Sequence, residues 1–260
     1  MMSSIELKIE NKVAFIALNR PEVFNSFNRE MALRLQAVLD DCEKNNEVRA
    51  IVLTGNGKAF CAGQDLKEVT SPELNPGFKA ILEEHYNPII TRIRAIKKPI
   101  IGAVNGVAAG AGANIALACD VVVATEKASF IQAFSLIGLI PDSAGTFFLP
   151  RLIGFQKASA LMLLGDKVSA EEAERIGMIY KYFTADEFEA SVEKLAIKMA
   201  NMPTKALGMI KDVLNQSLNN TLEEQLALES KNQIEAAQTH DYKEGVTAFV
   251  EKRRPNFIGK

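Results

Sequence analysis

The sequence contains no tryptophan, only three cysteines and only two histidines among 260 residues. Cys42, Cys61 and Cys119 have no C-x-x-C spacing, which argues against both a zinc ribbon and a disulfide framework. His85 and His240 are too few for a histidine-rich metal centre and leave little for a Ser-His-Asp triad. Neither sign of charge dominates: 30 basic residues stand against 32 acidic ones, for a net charge of −2. A nucleic-acid footprint is therefore not expected. The longest apolar stretch, Ile100 to Ala124, is interrupted by Asn105, Asn114 and Asp120 and is loaded with glycine and alanine, so no membrane span is expected. The first ten residues lack a basic segment followed by an apolar run. That start, with unpaired cysteines, points to a reducing, cytoplasmic location.

Hydrophobic residues make up 48% of the chain, enough to build a sizeable core. Ile5 to Leu18 reads as two strands around a turn at Glu10–Lys12, and the alternation in Val13–Leu18 marks the second as buried. Asn28 reads as the N-cap of a helix running to about Lys44, with Glu30 in its first turn. Met31, Leu33, Leu35, Val38 and Leu39 fit one face of it. Short apolar runs at Ala50–Thr54, Ile100–Val104 and Val121–Ala124 read as buried strands. A helix is expected over Phe78–Ile96, with a kink at Pro88. Asn105–Gly112 reads as a small-residue turn opening a helix to about Ala118. From Ala133 onward the pattern is helical almost throughout. Strands alternating with helices favour an α/β architecture or a repetitive ββα spiral. A composition shift near residue 200 divides the chain into a core over 1–199 and a helical C-terminal region over 200–260.

Three segments carry candidate chemistry. In Ala59–Leu66, small residues crowd a turn after a strand, where backbone N–H groups can meet a ligand and hold a developing oxyanion. A tight structural turn would look the same. In Asn105–Asn114 the glycines at 106, 110 and 112 match neither G-x-G-x-x-G nor a phosphate loop. Close helix–strand packing and an anion-friendly turn both remain open there. In Gly138–Thr146, Asp142 follows a proline among apolar residues. Spacing alone favours a helix N-cap, and a carboxyl with a raised pKa is the functional alternative. Cys61 reads as a buried thiol rather than a nucleophile. His85 and His240 are expected on helix surfaces. The basic stretch Lys252–Arg254 with Lys260 reads as a solvated tail, with phosphate binding as the alternative.

Taken in order, the three segments resemble the crotonase superfamily of enoyl-CoA hydratases and isomerases. The likeness spans nearly the whole chain through Leu18–Phe27, Lys58–Leu66, Lys98–Gly106, Gly138–Ile153 and Thr247–Arg253. The resemblance implies an α/β, crotonase-like ββα spiral with a C-terminal helical trimerisation region, assembled as a homotrimer or a hexamer. It implies an acyl-CoA thioester as substrate, no permanently bound cofactor and no metal. It places an oxyanion hole at the N–H groups of Gln64 and Ala111. It assigns coenzyme A contacts to Ala62, Asp65, Leu66, Phe249 and Lys252, the last two serving a neighbouring subunit.

The departures from the family pattern are informative. Hydratases of the family carry two glutamates, and this chain has Asn114 and Phe134 at those positions. Neither can take a proton from water. Asp142 remains, at a position used by several non-hydratase branches. Phe60–Leu66, Asn105–Ala113, Ala133–Asp142, Tyr242–Val246 and Phe257–Lys260 resemble a branch that rearranges ring-1,2-epoxyphenylacetyl-CoA to oxepin-CoA. The expected activity is that isomerisation, a Δ3-to-Δ2 enoyl shift, or both, through Asp142. Asn114, Phe134, Leu136 and Ile137 are expected to line the acyl pocket, and Thr70–Gly77 to border it. A hydratase or other acyl-CoA lyase is the first alternative, and a non-catalytic acyl-CoA-binding subunit the second.

Overall fold

The computed structural model describes residues 3–260. Strands β1 (Ile5–Glu10) and β2 (Val13–Leu18) form an antiparallel hairpin. It turns through Asn11 and Lys12, both with positive φ, as a two-residue loop matched to strand twist requires. Three close strand pairs follow: β3 (Ala50–Gly55) with β4 (Ala59–Cys61), β5 (Ile100–Val104) with β6 (Val107–Ala109), and β7 (Val121–Thr125) with β8 (Ser129–Ile131). The first member of each pair enters one sheet and the second enters another. With β9 (Lys167–Ser169) and β10 (Lys181–Phe183), the sheets have the orders β1-β2-β3-β5-β7-β10 and β4-β6-β8-β9. All successive pairings from β2 to β10 in the large sheet are parallel, as are β4–β6 and β6–β8.

Helices close each turn. α1 (Arg29–Lys44) follows β2, and α2 (Leu66–Thr70), α3 (Phe78–Ala80), a π-helical turn (Ile81–Tyr86) and α4 (Asn87–Ala95) follow β4. α5 (Ala111–Leu117) follows β6, and α6 (Gly145–Ile153) and α7 (Phe155–Leu164) follow β8. α8 (Ala170–Arg175), α9 (Ala185–Ala200), α10 (Thr204–Ser217), α11 (Leu222–Ala236) and α12 (His240–Val250) complete the chain. The architecture is the expected α/β spiral of ββα turns. No helix of the described residues is long and apolar enough to cross a membrane.

Both faces of the central strands β2, β3, β5 and β7 are covered, which explains their nearly unbroken apolar runs, whereas the edge strand β1 is largely exposed. Ile51 and Leu53 of β3 face the main core with Met31, Leu35, Ile89 and Ile93. Ala50 and Val52 face the opposite way, onto Phe188, Val192 and Ala196 of α9. In α1 the Asn28 side chain accepts the Met31 N–H at 3.0 Å, as its N-cap position predicts. Leu33 departs from the expected face and is exposed.

Several expectations are corrected. β6 lies inside the stretch read as turn and helix, and β9 and β10 interrupt the region read as helical. Each is three residues long, too short to show a period, and each forms by pairing with an existing strand edge. The 78–96 segment is helical without a break as far as Ala95, as expected, and its irregularity is a π turn over Ile81–Tyr86 immediately before Pro88. The proline withholds an N–H there, and the Gln36 side chain donates instead to the carbonyls of Glu84 at 2.7 Å and His85 at 3.2 Å. His85 is buried, not on a surface.

The chain end is strapped to the spiral. Arg49, itself buried, donates to the Thr204 hydroxyl at 2.7 Å and to the carbonyls of Phe257 at 2.8 Å and Met202 at 2.5 Å. Asp241 accepts the N–H groups of Ile258 and Gly259 at 2.8 and 2.7 Å.

Gly112 tests how tightly the spiral is wound. A methyl group there would stand 2.4 Å from the Cys61 carbonyl oxygen and 2.8 Å from its sulfur. Alanine gains about 1 kcal/mol of helix propensity, but overpacking against fixed backbone costs about 1–3 kcal/mol. Gly112→Ala is therefore expected to lower the urea midpoint of unfolding. An unchanged or higher midpoint would mean that α5 and β4 can separate freely.

Candidate active site

The turn after β4 is held by backbone. Ala62 N–H donates to the Phe24 carbonyl at 3.0 Å, Phe27 N–H to the Gly63 carbonyl at 2.7 Å, and Asp65 N–H to the Phe27 carbonyl at 2.8 Å. This is a parallel bridge between Phe27 and Gln64. It uses the peptide groups on either side of Gln64 and leaves the Gln64 N–H pointing away from Phe27, with no acceptor among the described residues. Gly63 has φ +94°, and a methyl there would lie 3.1 Å from the Ala109 carbonyl and 3.7 Å from the Ala111 nitrogen. Glycine is required for both the angle and the close approach.

The second strand end is built in parallel. β6 stops at Ala109, Gly110 takes φ +54° and donates to the Ile131 carbonyl at 2.9 Å, and α5 begins at Ala111. As the first residue of a helix, Ala111 has no helical acceptor for its N–H and finds none elsewhere among the described residues. Gln64 and Ala111 both line one cavity of about 600 Å³. Two amide donors are thus left free on adjoining walls.

Asp142 completes the cavity. It is not a helix cap: α6 starts at Gly145, and the residue before it, Ala144, makes no side-chain cap bond. The Asp142 carbonyl accepts from Gly145 N–H and from the Asn114 side chain, each at 2.9 Å. Asn114 in turn accepts from the Gln132 side chain at 2.8 Å. Ser143 and Ala144 follow with φ +50° and +59°. Left-handed conformations at non-glycine residues cost on the order of 1–3 kcal/mol each and persist only where surrounding bonds impose them. Phe134, Ile137 and Leu139 share the cavity wall with Asp142. Burial raises its pKa above the ordinary 3.8, and the Ser143 hydroxyl, donating at 2.8 Å, opposes that in part.

The cavity gathers Ala62, Gln64, Leu66, Ala111, Phe134, Ile137 and Asp142 from among the sequence-derived candidates. Other candidates lie elsewhere. Asn114 does not line this cavity; it is buried behind Asp142 and holds its backbone. Leu136 also lies outside, 65% exposed, beside Gly165. The Asp65 carboxylate is occupied by Arg20 at 2.8 Å and by the Lys67 N–H at 3.0 Å, so it caps α2. Phe249 and Lys252 are not among the lining residues of the same chain, and Phe249 is 85% exposed. The loop expected to border the cavity contributes its flanks, Val69 and Phe78, instead. Cys61 is buried with its thiol pushed up to about 12, which makes it inert.

Tyr86 and Ile81 also line the cavity, and no motif or periodic pattern marks either of them. In a π turn the chain bonds from i to i+5, so residues five apart are brought together. An ordinary helical wheel separates Ile81 from Tyr86.

Free amide donors facing a desolvated carboxyl are the equipment of an enzyme that holds an oxyanion and moves a proton. The family model for enoyl-CoA hydratase/isomerase matches residues 8–260. The chain is 45% identical to the 1,2-epoxyphenylacetyl-CoA isomerase of Escherichia coli K12, with 100% of both chains covered. It is 44% identical to a "Probable enoyl-CoA hydratase" of Rhodobacter capsulatus, over 99% of this chain and 98% of that one. Among solved structures, the enoyl-CoA hydratase of Bacillus anthracis superposes with a TM-score of 0.92 at 31% identity, covering 99% of this chain and 100% of that one. The chain belongs to the enoyl-CoA hydratase/isomerase family. It is an enzyme of CoA-thioester isomerase or hydratase type.

The raised pKa of Asp142 has a thermodynamic consequence. The folded protein holds the neutral carboxyl more readily than the unfolded chain does. That stabilisation is complete below the unfolded value and is lost as pH rises through the folded one. Asp142→Asn removes the loss. The melting temperature of the variant minus that of the wild type should therefore grow between ~pH 4 and ~pH 7. A difference that shrinks over this range would mean that the fold stabilises the carboxylate instead.

Proposed function

We propose that the protein is a CoA-thioester isomerase that converts ring-1,2-epoxyphenylacetyl-CoA to oxepin-CoA, shifts Δ3-enoyl-CoA to Δ2-enoyl-CoA, or does both. The observation that carries this reading is that Asp142 is the one carboxylate lining the cavity among the described residues. Adding water across a double bond calls for a group that activates water and a second that manages the other proton. A 1,3-proton shift needs one base that takes a proton from one carbon and returns it to another. The thioester oxygen sits between the Gln64 and Ala111 N–H groups and gains charge as the enolate forms. Asp142 takes the proton, holds it as a neutral acid in its apolar wall, and gives it back. With the epoxide it assists ring opening to the seven-membered oxepin. Both conversions leave the mass of the thioester unchanged. Phe134, in place of a charged side chain, leaves an apolar wall suited to an aromatic or alkenyl acyl group. The relative named as an epoxyphenylacetyl-CoA isomerase supports the aromatic substrate.

Hydration is the second reading, favoured by the relative named as a hydratase at nearly the same identity. Product mass separates the two.

The same proposal includes a homotrimer, or a hexamer of paired trimers, with residues 200–260 as its assembly region and no resident cofactor. α11 buries none of its residues in the single chain, and Leu222, Leu226 and Ile234 are exposed along it. Phe249 and Lys252 are available there to a coenzyme A held by a neighbouring copy. We place the enzyme in the cytoplasm.

A panel of a 2-enoyl-CoA, a 3-enoyl-CoA and the phenylacetyl epoxide formed in situ, analysed by chromatography and mass spectrometry, tests the activity. Rearrangement without mass change is expected, reduced about 100-fold or more in Asp142→Asn, in line with the worth of a general base. A product heavier by one water would establish hydration. Undiminished rearrangement by Asp142→Asn would remove Asp142 from the mechanism.

A further inference from the structure

The side chain of Gln64 is engaged at both ends, although the chemistry assigned above uses only its backbone N–H. Its carbonyl oxygen accepts from the Tyr86 hydroxyl at 2.9 Å, and its amide nitrogen donates to one Glu68 oxygen at 2.7 Å. The other Glu68 oxygen accepts the Arg29 N–H at 2.8 Å, at the head of α1. Tyr86 and Glu68 are both buried. A buried carboxylate is costly unless every oxygen is used, and here two donors and the positive end of a long helix satisfy it. The charge on Glu68 also sets the polarity of the Gln64 amide, since the flipped orientation would turn oxygen against oxygen.

The circuit closes on itself. Phe27 accepts and donates the two backbone bonds that flank Gln64, and its ring meets the Tyr86 ring edge-on at 5.9 Å and 68°. The stretch from Phe27 to Arg29 thus holds the Gln64 peptide by its backbone and, through Glu68 and Tyr86, by its side chain. We propose that Tyr86 and Glu68 are positioning residues for the oxyanion-hole peptide, acting through the Gln64 side chain to keep its N–H aimed at the thioester oxygen. The proposal rests on the CoA-thioester reading above. Burial also holds the Tyr86 phenol well above its ordinary pKa, so it stays a donor. Because Tyr86 is at once cavity wall and brace, the fit of the acyl group against its ring bears on the aim of the donor. Acyl selectivity should then show in kcat rather than in KM.

Tyr86→Phe removes one hydroxyl and keeps the ring on Phe27, and Glu68→Gln removes the charge that orients the amide. Deleting an oxyanion donor outright costs about 100- to 1000-fold in kcat, so loosening one should cost less, about tenfold. Both variants are expected to lose about that much kcat on whichever panel thioester the wild type rearranges, with KM within about twofold. The double variant should be no worse than the poorer single one, because both cut one circuit. Infrared difference spectra of bound, carbonyl-labelled phenylacetyl-CoA give a readout that a packing role would not move. The thioester carbonyl band should lie below its solution frequency in the wild type and return part of the way in Tyr86→Phe. A wild-type band shift that Tyr86→Phe leaves unaltered, or losses in the two variants that simply multiply, would overturn the proposal alone. A wild type that neither shifts this band nor rearranges any panel thioester would overturn the underlying reading and this proposal with it.

Discussion

The peptide groups either side of Gln64 are both bonded to Phe27, and this leaves the N–H between them free. A strand offers its amides alternately to two sides, so pairing on one side aims the next donor at the other. Here the paired side is the segment leading into α1, and the other side is the cavity. An unpaired buried donor is normally a liability of about 1–3 kcal/mol. The spiral carries two, at Gln64 and Ala111, on neighbouring strand ends. Gly63 and Gly110 lie just before them and take backbone angles that other residues resist. The spiral repeats, so what happens after β4 happens again after β6. Two donors converge because two successive turns stop at the same level.

The opposite wall is held by different means. Asp142 sits in a loop whose next two residues are strained, and no helix or strand pairing supports it. A buried amide pair, Gln132 and Asn114, supplies the missing constraint through the Asp142 carbonyl. Gly145 leaves room for it, since a methyl there would stand 2.4 Å from the Asn114 amide nitrogen, far inside van der Waals contact. Asn114 thus holds the carboxylate's backbone from behind and touches no part of the cavity itself. Its amide donates where a carboxylate would repel, which fits a site organised around Asp142.

Much of the frame was legible in the residues. Val13–Leu18, Ala50–Thr54 and Ile100–Val104 announce strands because burial on one or both faces shapes their composition. Asn28 announces a helix start because capping is local chemistry. The two small-residue turns and Asp142 could be singled out, but their convergence could not, since it arises from sheet order. β6, β9 and β10 were invisible because three residues carry no period. Tyr86 was missed because the π turn shifts the register that a helical pattern assumes. Motif position points Asn114 and Leu136 toward the cavity, yet one lies behind its wall and the other outside it.

The strap at the chain end bears on how the molecule is made. Arg49 stands just before β3, which pairs with β2 and β5 inside the large sheet, yet its hydrogen-bond partners lie 153, 155 and 208 residues further along. Met202 and Thr204 leave the ribosome long after the strands on either side of β3, and Phe257 later still. Until they arrive, a guanidinium destined for the interior has only water for company. Synthesis order and structural order therefore run in opposite senses at this point: a residue at the head of an early strand is buried by chain made well after it. A nascent chain that stalled before those partners emerged would expose this charge beside an otherwise paired sheet, a form open to quality-control proteases.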